Sequence, residues 1–263
     1  FQPDEENTFG AKKMIEEGLF KKFSIDEVYG MHNWPDLEIG KFAIRSGPFF
    51  AASDFFEITI NGLGGHAAKP QIAVDPTVVG SHIVIALQSI VSRNADPTDQ
   101  IVVSVTSFET SSKAFNVIPQ TVVLRGTVRT LSDATRDLAE KRLVEISAKT
   151  GDVFGADVNP IYTRGYPVMT NSVEQTEFAA SVAKSVSGNC EDAPLVMGGE
   201  DFSYMAIERP GAYILIGNGD SAPVHNPNYN FNDEAISIGC SWWAEIIERR
   251  MPLSLDQPKY LES

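Results

Sequence analysis

Only four histidines occur in the 263 residues, and three of them sit among loop-forming neighbours. His32 lies in GMHNWP, His66 in GLGGHAAKP and His225 in PVHNPNY, the kind of setting that commonly carries binding and catalytic groups. Imidazole there suits ligation of Zn, Mn, Co or Ni, with plain loop hydrogen bonding as the alternative. His82 falls inside a helical pattern and reads as a packing residue. Glu5-Glu6 follows Gln2-Pro3. In an extended segment adjacent side chains point to opposite sides, so one carboxylate could hold a metal while the other faces metal-bound water. The alternative is a solvated acidic terminus. The spacing of residues 6, 32 and 225 matches no local metal motif such as HExxH, so spacing alone leaves a metal site open. Residues 197–203 (MGGEDFS) form a glycine-flanked acidic loop, and 116–119 (NVIP) read as a strand start. Arg129 and Arg164 are natural carboxylate binders through their two-pronged guanidinium groups. Tyr166, Pro167 and Met169 either line a pocket or pack in a core.

The elements that must position these groups are clearest in the middle of the chain. Phe56, Ile58 and Ile60 alternate with polar residues, as in a half-buried strand. Asp75-Pro76 supplies a helix N-cap and first-turn proline, and Val79, Ile83, Ala86, Leu87 and Ile90 follow at helical spacing to Arg93-Asn94. Strands are expected through Ile101–Val105 and Val122–Val128. A helix capped by Ser132 follows, with Leu138, Leu143, Ile146 and Ala148 inward, and then an edge strand holding Pro160. That β-α-β-β-α-β order over residues 54–163 is the ferredoxin-like arrangement, with two helices on one face of a four-stranded sheet. The flanks predict helices over 11–23, 172–187 (Val173, Phe178, Val182 and Val186 inward) and 234–250. They also predict a strand from Glu27 to His32 running into a loop, and a buried parallel strand at 212–216. The expectation is an α/β domain, 1–53 and 164–263, interrupted by an inserted α+β domain, 54–163.

The formal net charge of −14 argues against a nucleic-acid partner, which would need clustered Lys and Arg. No run of about 18 apolar residues is present to span a membrane. Cys190 and Cys240 form no CxxC pair and read as free thiols of a reducing compartment, hence cytoplasmic, with a distant disulfide left open.

Taken together, eight segments resemble the metal-dependent aminoacylase and carboxypeptidase superfamily. The similarity is to the branch of hippurate hydrolase, indole-acetyl-amino-acid hydrolase and N-acetyl-diaminopimelate deacetylase. They are FQPDEE (1–6), GMHNWP (30–35), GGHAAKP (64–70), DPTVVGSHIVIALQSIVSR (75–93), NVIP (116–119), GTVRT (126–130), GGEDFS (198–203) and HNPNYNFND (225–233). The resemblance implies a zinc-peptidase-like catalytic domain with a lid and dimerisation domain at 54–163, two divalent metal ions, an N-acyl amino acid substrate and a homodimer. It implies Glu5 as general base, Glu6, His32 and His225 as metal ligands, and His66 and Asn116 as groups steadying oxyanion or substrate, reaching the partner's site in related dimers. Glu200 lies in the acidic loop near the site, and no role is carried over to Arg129. The family has a Cys-Gly-His segment upstream of FQPxEE that completes the metal site, and this chain starts at Phe1. The expectation is therefore an incomplete site here, with a non-catalytic remnant acting through lid-mediated dimerisation, or a dipeptidase of the same superfamily, as alternatives. Thr110-Ser111-Ser112 stand where relatives usually have paired glycines.

Overall fold

The alternation of apolar residues in the middle of the chain builds a sheet with one covered face. The computed structural model describes residues 2–252; Phe1 of the FQPDEE segment and residues 253–263 lie outside the described residues. In chain order the principal elements are β1 (Val28–Pro35), β2 (Phe42–Ile44), β3 (Ala52–Asn61), α1 (Pro76–Ser89), β4 (Ile101–Thr110), β5 (Thr121–Thr130), α2 (Asp133–Phe154), β6 (Asp157–Tyr166), α3 (Val173–Ser187), β7 (Gly211–Gly219) and α4 (Glu234–Arg250). They fall into two compact units. The first holds the described residues through Met14, Pro48–Met169 and Leu195–Tyr204. The second holds Ile15–Gly47, Thr170–Pro194 and the described residues from Met205 onward.

The first unit contains the β-α-β-β-α-β module, with sheet order β4-β5-β3-β6 and antiparallel pairing throughout. Phe56, Ile58 and Ile60 of β3 and Val122, Leu124 and Val128 of β5 pack against Val79, Ile83 and Leu87 of α1 and Ala139 and Leu143 of α2. Asp75 caps α1, accepting Thr77 N–H at 2.8 Å, and Ser132 caps α2, accepting Thr135 N–H at 3.2 Å. Pro160 lies on β6, an edge strand, where its missing N–H costs no ladder bond. Two expectations change. The buried stripe of α2 runs through Thr135, Arg136, Ala139, Leu143, Ser147 and Gly151, leaving Leu138, Ile146 and Ala148 half-buried. His82 is exposed, its ring 4.7 Å from that of Phe154.

Asp54 anchors the start of this module. Its carboxylate accepts from Arg136 Nε at 2.9 Å and Nη2 at 2.6 Å, from Gly165 N–H at 3.0 Å and from Tyr162 O–H at 2.7 Å. Both members of the ion pair are buried, and the two-pronged pairing with two further bonds to Asp54 is what allows two charges to sit out of water.

In the second unit β1 and β7 run parallel, and β7 pairs antiparallel with β2. The continuous apolar run of residues 212–216 is buried on both faces, as expected. Trp242 of α4, Ala179 and Val182 of α3 and Phe42 of β2 close that core. Val173, expected inward, is exposed at the first turn of α3. The helix expected over 11–23 breaks at Gly18, whose φ of 95° is a left-handed conformation that favours glycine. Cys190 and Cys240 are both free.

Candidate active site

In the first unit, Glu5 to Thr8 form a single helical turn rather than the extended segment expected. Successive side chains therefore diverge by roughly 100° and not by a half-turn. The acidic loop meets this turn. Glu5, Glu200 and Asp201 bring carboxylate oxygens within 4.8 Å of one another, with Glu200 and Asp201 buried. Burial first, then the charges of Glu200 and Asp201, push the Glu5 carboxyl up to about 7, against one bond accepted from the Asp201 backbone N–H. Glu6 is exposed and stands outside that group.

Each neighbour holds part of the cluster in place. Tyr166 donates its hydroxyl to the Glu5 carbonyl, and its ring meets Phe9 edge-on at 4.9 Å. Asp201 accepts from Ala11 N–H at 2.8 Å and from the Gln2 side chain, so it fixes the start of the helix Gly10–Glu16. Gly199 lies so close to Tyr166 and Ser53 that a Cβ there would sit 2.7 Å from the tyrosine ring and 2.8 Å from Ser53 Cβ. Of the three pocket candidates, Tyr166 borders the acids, whereas Met169 is fully buried. Asp201 carried no assigned role in the sequence; its signal was its position beside Glu200 in GGEDFS.

His66 and Asn116 come together on one exposed tip of the same unit. Gly65–His66 pairs with Val117–Ile118, and Ala67 N–H donates to the Asn116 carbonyl at 3.0 Å. Ala68 N–H donates to His66 Nδ1 at 3.1 Å. In the neutral ring that leaves the proton on Nε2, making that atom a hydrogen-bond donor.

The two arginines diverge. Arg164 is engaged by Asp137 and Glu140, each at 2.6 Å. Arg129, on the sheet face opposite the helices, lies 5.9 Å from the Phe55 ring centroid and has a buried Nη1 with no hydrogen-bond partner among the described residues. Burial lowers its affinity for its proton.

In the second unit His32 lies within β1, not in a loop, and is half-buried. Desolvation chiefly, and the charge of His225, hold its pKa below the ordinary value, so it is neutral near pH 7. Its Nδ1 contacts the Asn33 carbonyl at 2.6 Å, which places the proton on Nδ1 and the lone pair on Nε2. His225 is exposed, with a φ of 67°, a left-handed strain of the kind found at functional positions. Clustered carboxylates and a neutral imidazole with a fixed tautomer are donors that fit divalent cations.

A model of Peptidase family M20/M25/M40 matches residues 1–249. The chain is 38% identical over 250 residues to a hippurate hydrolase of Campylobacter jejuni, covering 94% of this chain and 65% of that protein. It is 35% identical over 241 residues to an N-acetyldiaminopimelate deacetylase of Enterococcus faecalis, covering 91% and 64%. It superposes with a TM-score of 0.79 and 28% identity on a Bacillus subtilis structure described as a dinuclear metal binding peptidase, covering 94% and 62%. The chain thus spans less than two thirds of the length of each of these proteins. With the ordered motifs and this extent of match, the chain belongs to Peptidase family M20/M25/M40.

Proposed function

We propose that the protein hydrolyses the amide bond of an N-acyl amino acid, releasing a carboxylic acid and a free amino acid, and that residues 54–163 form its lid and dimerisation domain. The observation that carries this reading is the Glu5 carboxyl, held near neutrality in a cluster of buried acids. A base matched to the working pH is what proton transfer from water requires. Divalent cations held by Glu6, His32 and His225 would polarise the amide carbonyl and acidify a water. Glu5 then takes one proton from that water as its oxygen adds to the carbonyl carbon. The C–N bond breaks, and Glu5 passes the proton to the leaving nitrogen. His66, with its proton on Nε2, and the Asn116 amide donate to the oxyanion.

Arg129 recognises the substrate carboxylate. Its partnerless Nη1 supports this choice over Arg164, whose guanidinium is already taken by Asp137 and Glu140. Edge strand β4 pairs on one side alone and exposes Val102 and Phe108, while α1 exposes Val78 and Ile85. These features support a homodimer built on the lid, through which His66 and Asn116 serve the partner's site. Among the described residues no helix is long and apolar enough to cross a membrane. The free thiols support a cytoplasmic protein.

The test is hydrolysis of hippurate, N-acetyl amino acids and dipeptides by the full-length protein loaded with Zn, Mn, Co or Ni. Glu5→Gln removes the proton acceptor and is expected to cut kcat at least 100-fold. Turnover of the acyl amino acids unchanged by Glu5→Gln removes Glu5 as base, and no turnover of any of them by the unaltered protein refutes the reading.

A further inference from the structure

We propose that Phe115 is a specificity-determining residue, its ring packing against the acyl group and selecting aromatic acyl chains over acetyl. This rests on the reading of the protein as an N-acyl amino acid hydrolase. Phe115 and Asn116 occupy the two corner positions of one turn, closed by Val117 N–H donating to the Ala114 carbonyl at 3.4 Å. Corner residues project away from the chain on both sides of them. The Asn116 backbone carbonyl is bonded to Ala67 N–H, next to His66. Phe115 is thus the chain neighbour of Asn116 in a turn that is tied to the segment carrying His66, so a site that receives those two side chains lies beside Phe115.

The ring is fully exposed, at 107% relative accessibility. Its exposure does not come from a loose loop. Ser111 N–H donates to the Thr121 carbonyl at 3.0 Å, Thr121 N–H to Ser111 Oγ at 3.1 Å, Thr110 Oγ1 to the Ser112 carbonyl at 2.7 Å, and Ala114 N–H to Ser112 Oγ at 3.2 Å. The Thr110-Ser111-Ser112 segment thus clamps the base of the turn and fixes the backbone from which the ring projects. Single exposed apolar side chains are common on protein surfaces; what sets Phe115 apart is its place in the turn beside Asn116 and next to the His66 segment. The amino-acid half of the substrate carries a carboxylate, matched by Arg129. The acyl half carries no charge, and an aromatic face is the wall that suits it, by area and by ring–ring contact.

The test compares N-benzoyl and N-acetyl derivatives of one amino acid as substrates of the full-length, metal-loaded protein and its Phe115→Ala and Phe115→Tyr variants. Losing one apolar pocket wall changes discrimination by roughly 10- to 100-fold. Phe115→Ala is expected to lower kcat/KM for the benzoyl substrate by about that factor, leave the acetyl substrate within about threefold, and keep the melting temperature and molecular mass in solution. Phe115→Tyr retains the preference. Equal losses on both substrates, an unchanged benzoyl-to-acetyl ratio, or a change in oligomeric state overturns the assignment while leaving the hydrolase reading intact. If the unaltered protein hydrolyses neither substrate, the hydrolase reading fails and the assignment falls with it.

Discussion

Replacing Asp54 by Ala removes a carboxylate that accepts four hydrogen bonds, two of them from Arg136. The guanidinium stays behind, its side chain 6% exposed, with the Gly165 carbonyl at 3.2 Å as the remaining bonded partner among those contacts. Breaking a buried pair from one side costs about 3–5 kcal/mol, because the abandoned charge cannot reach water. For a chain of this size that lowers Tm by roughly 6–20 °C. Arg136→Ala is milder, since Asp54 keeps the Gly165 N–H and the Tyr162 hydroxyl. The double variant Asp54→Leu/Arg136→Met leaves no buried charge and recovers most of the loss. Urea titration should be followed by far-UV circular dichroism, because all three tryptophans lie in the second unit. The Asp54 loss also reaches the site, because Gly165, which Asp54 pins, precedes the Tyr166 that holds the Glu5 backbone. A loss below about 1 kcal/mol for Asp54→Ala, or a double variant no more stable than that single one, refutes the reasoning.

Gly199→Ala sets a methyl against Tyr166 and Ser53; it is expected to cost about 1–3 kcal/mol and to lower turnover, and wild-type Tm and kcat would show the loop gives way freely. Arg129→Ala should raise KM for N-acyl amino acids by roughly 10- to 100-fold and leave the C-terminal amides of the same substrates unchanged, with an equal loss on the amides ruling out carboxylate recognition. Burial pushes the Cys190 thiol up to about 11, whereas Cys240 is exposed. At pH 8 about one Cys190 in a thousand is thiolate, so iodoacetamide should label Cys240 first by mass spectrometry, and equal rates would contradict the burial.

The module in the first unit was legible because a strand's period of two and the two helix caps are local properties of the sequence. Phe56, Ile58 and Ile60 point inward wherever the sheet ends up, and Asp75 and Ser132 cap whatever helix follows them. The α2 face was misjudged because its buried stripe carries Arg136, whose inward position depends on Asp54, 82 residues earlier. No local pattern announces a long-range ion pair. The same limit applies at the candidate site. The ordered motifs nominated Glu5 and the GGEDFS loop, but the three-acid cluster exists only once Ala11 and Gln2 fix Asp201. Arg129 and Arg164 look alike in sequence; what separates them is whether carboxylates stand beside them in space.

β3 and β6 are antiparallel neighbours, and Ser53 stands in register with Tyr166. The chain therefore departs into the β-α-β-β-α-β module and comes back at almost one point. Closing so narrow a gap takes a turn of a few residues and little conformational entropy. A stretch that leaves and rejoins at one register position can be lengthened, shortened or varied at its tip without rethreading the strands that flank it.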